Sequence, residues 1–142
     1  MKKTIFILTA VITTLTLFSC ASVKEIPQDK SAAQILQLGQ NAATMVSYSG
    51  AEICYKTAVE RFGQFTSLDQ EEEIKVFIEA TYELGHIYYK PKKYDEAKNC
   101  FNEVLSIYNE VGFASPIRLD PSYKKLCENS LARIDEVTKI KK

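Results

Sequence analysis

Tryptophan is absent from the 142 residues, histidine occurs once and glycine only five times. One histidine, His86, excludes a His-based triad within one chain, and any metal site that needs several imidazoles. There is no Gly-rich phosphate loop, no His-Glu-x-x-His and no Cys-x-x-Cys, the patterns by which nucleotide, zinc-hydrolase and redox sites are read. Net charge is missing too, because 18 basic and 18 acidic side chains cancel. The small basic turn of Lys90, Lys92 and Lys93 is too short for a nucleic-acid footprint. Carboxylates are plentiful, yet spacing and apolar setting single out no pair. The sequence therefore predicts no enzyme, no cofactor, no metal site and no nucleic-acid partner.

The first residues present a different pattern. Lys2 and Lys3 form a basic start, Ile5 to Leu17 is an apolar, threonine-rich run, and Leu17-Phe18-Ser19-Cys20 closes it. A run this short, ending in a small residue, reads as a secretory signal and not as a membrane span. Leu17-Phe-Ser-Cys20 resembles the bacterial lipoprotein box. That resemblance implies removal of residues 1–19, acylation of Cys20, and a membrane attachment held by lipid. Two or three acyl chains anchor a protein where one gives only marginal binding. Without Lys2 and Lys3, 16 basic side chains face 18 acidic ones, so electrostatics is not the anchor. Ala21 stands where, in enterobacteria, an aspartate retains lipoproteins in the inner membrane; its presence leans toward the outer membrane. Residues 20–30 are polar, contain Pro27 and show no periodicity, which suits a lipidated tether.

The organising stretch of the rest is Leu84–Phe101. Thr81, Leu84 and Tyr88 make one helical stripe, Pro91 ends that helix, and Tyr94, Ala97, Phe101 and Val104 make the stripe of a second. Gly85 inside the first helix costs roughly 1 kcal/mol relative to alanine. A close contact with the small Ala97 would offset that cost. The same pattern occurs earlier in the chain. Gly39 and Gly85, Ala51 and Ala97, Cys54 and Cys100, and Tyr55 and Phe101 are each separated by 46 residues. A constant interval over two helices marks an internal repeat. Leu84-Gly85, Tyr88, Tyr94, Ala97 and Phe101 resemble the tetratricopeptide repeat, a helix–turn–helix unit of ~34 residues. The resemblance implies an all-α, short right-handed helical-hairpin solenoid and a role in binding other proteins.

Local signals bound the units. Ser31-Ala-Ala-Gln34 and Ser67-Leu-Asp-Gln70 have capping-box spacing, and Glu71, Glu72 and Glu73 favour a helix N-terminus. The first helix is expected to bury Ile35, Leu38, Ala42 and Met45. Gly112, Pro116 and Pro121 mark a longer loop. Asp120-Pro121 then opens a last helix whose apolar face is Tyr123, Leu126, Cys127, Ser130, Leu131 and Ile134, with Lys139, Lys141 and Lys142 at its end. Leu119-Asp-Pro-Ser-Tyr resembles the junction leading into a further repeat, and a half-repeat would cover the last apolar face. The domain at 31–142 thus divides into repeats at about 31–65 and 69–111 and a capping helix at about 121–140. Cys54, Cys100 and Cys127 read as packed thiols; neighbouring hairpins stand ~8–10 Å apart, beyond the ~7 Å reach of a disulfide.

Glu79, Tyr82, His86 and Tyr89 recur on one face of the third helix, away from Leu84 and Tyr88. In the resembled family the corresponding positions line a concave peptide groove, which makes these four the expected binding groove. Gly39, Ala51, Gly85 and Ala97 are the expected packing contacts. Two functions fit. One is a membrane-anchored adaptor that binds an envelope protein or peptide in the bacterial cell envelope. The other is a small immunity or inhibitor lipoprotein that masks a single enzyme or toxin at the membrane.

Overall fold

The computed structural model describes residues 25–62, 70–114 and 117–140. The signal sequence, Cys20 and the Ser67 cap all lie outside the described residues. Among these there are five helices: α1 Ala32–Thr44, α2 Tyr48–Glu60, α3 Gln70–Tyr89, α4 Tyr94–Ala114 and α5 Pro121–Lys139. Each helix packs on the next, and α3 also touches α1 and α5. The chain is an all-α helical-hairpin solenoid.

Local chemistry sets the ends. The Ser31 hydroxyl accepts from the Gln34 amide at 3.3 Å, and the Gln34 side chain accepts from the Ser31 amide at 3.0 Å, a complete capping box. Asp120 accepts from the Ser122 amide at 2.9 Å, with Pro121 in the first turn where its missing N–H is not needed. Gly112, expected in a loop, lies within α4, which continues to Ala114. The helical stripe simply outlasts one glycine, a penalty of about 1 kcal/mol that tertiary packing readily overrides.

The two hairpin turns are copies of one another. Ser47 N–H reaches Ala42 O at 2.9 Å and Val46 N–H reaches Ala43 O at 3.0 Å; Lys93 to Tyr88 and Lys92 to Tyr89 repeat the pair at 3.0 Å each. This is the Schellman arrangement, whose left-handed position usually holds glycine. Here it holds Val46 at φ 59° and Lys92 at φ 66°. The repeat interval of 46 therefore extends to the turns.

The glycines find a different partner from the one expected. A Cβ placed on Gly85 would lie 2.7 Å from Phe101 Cε1, and one on Gly39 would lie 2.6 Å from Tyr55 Cε1. Each glycine is the seat of an aromatic ring from the facing helix. Ala51 and Ala97 are fully buried in the same interfaces, but they are not what the glycines meet first. Phe101 and Tyr55 are the largest fully buried side chains, so the ring needs the space that a missing side chain leaves.

Helix α3 buries Ile74, Val76, Phe77, Ile78, Ala80, Thr81, Leu84, Ile87 and Tyr88. These span most of its circumference, as a central helix requires, rather than the single stripe expected. Two other expected core positions face out: Met45 is the C-cap residue of α1 and 76% exposed, and Leu126 is 41% exposed on α5. Leu36 takes the inward place in α1, and Cys127 with Ile134 holds α5. Cys54, Cys100 and Cys127 are buried free thiols. Burial pushes Cys100 up to about 11 and Cys127 up to about 12, so both stay protonated and unreactive at neutral pH.

Residues 25–30, part of the expected tether, lie against the domain. The Arg61 guanidinium, just past α2, donates to the carbonyls of Pro27, Gln28 and Lys30.

Candidate functional site

Helices α1 and α3 are the first members of their hairpins, and with the capping helix α5 they share one face. Glu79 is the bridge across it. Its carboxylate accepts from the Gln40 amide of α1 at 2.7 Å, and it lines a cleft together with Tyr123 of α5. The face therefore runs from α1 across α3 to α5. A cleft of about 320 Å³ opens beside Glu79, lined by Lys75, Ile78, Tyr108, Leu119, Asp120 and Tyr123. The Tyr108 hydroxyl donates to the Asp120 carbonyl and ties α4 to the loop that forms the cleft wall.

The four expected groove residues divide. Glu79 is in the shared face. Tyr82 and His86 are not an open surface: Tyr82 packs on Tyr123 at 5.2 Å between ring centroids and on Phe101 at 5.9 Å, and His86 packs on Phe101 at 5.5 Å. Their rings lean into the α3–α4–α5 interface because α5 closes over that side of α3. His86 is half-buried and its Nε2 is without a hydrogen-bond partner. Burial and the nearby Lys90 lower its pKa and hold it neutral. Tyr89 sits at the hairpin turn against Tyr94 at 5.7 Å, apart from the cleft.

The sequence reading missed Gln40, Glu83 and Tyr123. Glu83 is half-buried one turn beyond Glu79, and burial first, then Glu79, raises its pKa, while Lys90 opposes the rise. Its charge and that of Glu79 reach Tyr55 and Tyr123, whose phenols burial already pushes up. The four-residue spacing of Glu79 and Glu83 was the available signal. Nothing local to Gln40 or Tyr123 points to Glu79, since those contacts exist only once the hairpins stack.

This arrangement can hold a side chain or a short segment against a polar, tyrosine-rich wall. It offers no nucleophile–base pair, and among the described residues no group of three His, Cys, Asp or Glu could hold a metal. No described helix is long and apolar enough to cross a membrane.

Comparison with known proteins agrees with the repeat geometry. The chain is 29% identical over 121 residues to an uncharacterized protein of Treponema pallidum (strain Nichols), an alignment covering 83% of this chain and 44% of that protein. The chain thus spans less than half the length of that relative. No solved structure matches it. Residues 78–110, which run from α3 through its turn into α4, match the tetratricopeptide repeat family, and the solenoid is one of tetratricopeptide-like repeats.

Proposed function

We propose that this chain is a membrane-anchored adaptor that binds an envelope protein or peptide on the face shared by α1, α3 and α5. The observation that carries the reading is that Glu79 is bonded to Gln40 of α1 and shares an open cleft with Tyr123 of α5, which makes one recognition surface from three helices. Tetratricopeptide-like repeats are a protein-interaction fold, and the cleft mixes apolar and polar lining, as recognition sites do. Support for the anchor is the Leu17-Phe-Ser-Cys20 sequence after a short apolar run. An acylated Cys20 places the adaptor on a bilayer, with Ala21 favouring the outer membrane.

Leu119→Trp fills the cleft from a loop position outside the helices. Crosslinking of the full chain in membranes is expected to yield a discrete captured band that this variant abolishes while its melting temperature stays close to the parent's. Capture unaffected by the filled cleft rejects the surface. The anchor is tested separately: Cys20→Ala is expected to lose metabolic fatty-acid label, and a variant still labelled rejects acylation there.

A further inference from the structure

Met45, Val46 and Ile140 are the most exposed large apolar side chains among the described residues, at 76%, 65% and 83%. They come from two distant parts of the chain, yet they gather at one pole of the solenoid. The two hairpin turns stand side by side, because Lys90 Nζ of the second lies 3.9 Å from the Tyr48 ring centroid just past the first. The end of α5 reaches the same level, because Asp135 pairs with Lys98 one turn into α4 and Ile140 lies further along. Residues 45–48, 90–93 and 139–140 hold four lysines and no acid. Asp95, Glu96 and Glu136 stand behind these tips, in the first turn of α4 and the last of α5. The helix starts at the opposite pole carry Glu71, Glu72, Glu73 and Asp120, so the two poles differ in sign. Val46 adds a second cost: it is a β-branched residue at φ 59°, a strained backbone position that gives the core nothing in return.

We propose that this pole lies on an anionic lipid bilayer. Met45, Val46 and Ile140 enter the headgroup–acyl boundary, where exposed apolar tips leave water. The four lysines reach lipid phosphates, their stems lying along the apolar layer, and Tyr48 suits the same boundary. Separate tips at one end of the fold fit a fluid surface, which needs no matching shape. The contact goes beyond the adaptor reading and depends neither on the cleft nor on an acylated Cys20. Arg61 holds residues 27–30 at the other pole. Residues 20–30, fully extended, reach about 36 Å, against about 20 Å for the length of α1. A lipid on Cys20 and this pole can therefore share one leaflet when the clasp is open.

The chain has no tryptophan, so single-tryptophan variants report the environment of one position. The full chain is reconstituted in vesicles of phosphatidylcholine, with and without phosphatidylglycerol. Met45→Trp is expected to shift its emission to the blue and to be quenched by brominated acyl chains when phosphatidylglycerol is present. Leu126→Trp, about 21 Å back along α5 from Ile140, is expected to stay wet in both. Combining Lys90→Gln, Lys92→Gln and Lys93→Gln with Met45→Trp is expected to lose the shift. All these positions are exposed, so melting temperatures should stay near the parent's. Ile140→Trp reads the same pole from another helix and decides the matter if a turn variant fails to fold. Reporters at the pole that stay wet, that shift equally in neutral vesicles, or that shift no more than Leu126→Trp overturn the proposal. So does a shift that grows with protein concentration without lipid, which assigns the tips to a second copy. A pole wet in vesicles yet shielded in native membranes assigns them to another protein, and overturns it equally.

Discussion

Glu83 carries a cost that depends on pH. Its folded pKa is raised, chiefly by burial, so in the window above the unfolded value of ~4.3 the folded state retains a proton that the unfolded chain has released. The stabilisation from that proton is fully present below the unfolded value and is lost as pH rises through the folded one. Glu83→Gln removes the ionisation. It is expected to be more stable than the parent at pH 7, by at most about 1 kcal/mol because solvent screens a half-buried charge. The difference should vanish near pH 4, and thermal melts across that range check it. A variant less stable than the parent at pH 7 contradicts the account. His86 works in the opposite direction: its folded pKa is lowered, so its contribution is present above the unfolded value and lost as pH falls below ~6.5.

Helix packing in both hairpins turns on the same device, a glycine that seats a ring. Gly85→Ala is a gain in helix propensity of roughly 1 kcal/mol if packing is ignored. The added Cβ would lie 2.7 Å from a Phe101 ring that is fully buried and has nowhere to move. Overpacking of this kind typically costs ~1–3 kcal/mol, so the expected net result is a lower melting temperature. Adding Phe101→Leu should make the two effects non-additive, because the shorter side chain relieves the clash; strict additivity of the double variant counts against the seat. This device also marks how far the sequence could be read. The 46-residue interval located Gly39, Gly85, Tyr55 and Phe101, because close backbone approach demands small and large residues at fixed places. It did not tell which of Ala97 and Phe101 meets Gly85, since both recur at the same interval. Tyr82 and His86 looked exposed because a central helix such as α3 is covered on sides that its own periodicity does not reveal. Glu83 was invisible for a related reason: how far a carboxylate is buried depends on what other elements bring near it. The caps at Ser31 and Asp120 were legible because each is settled within three residues.

Across the whole molecule, α3 is the axis on which the two hairpins and the capping helix are assembled. The Lys98–Asp135 ion pair ties the start of α4 to the far end of α5, so the cap runs antiparallel to α4. At the opposite pole, Arg61 clasps residues 27–30. Arg61→Ala is expected to release that segment with little change in melting temperature, since the partners are exposed or partly buried backbone carbonyls. Amide hydrogen exchange should rise in residues 25–31 and stay unchanged in α3 and α4; protection that persists near Pro27 contradicts the clasp. The clasp also decides how load enters the fold. A pull on the chain ahead of residue 25 acts on a guanidinium fixed at the end of α2 before it reaches the first turn of α1. The first hairpin is then strained at both of its helices together, instead of being peeled open from one end.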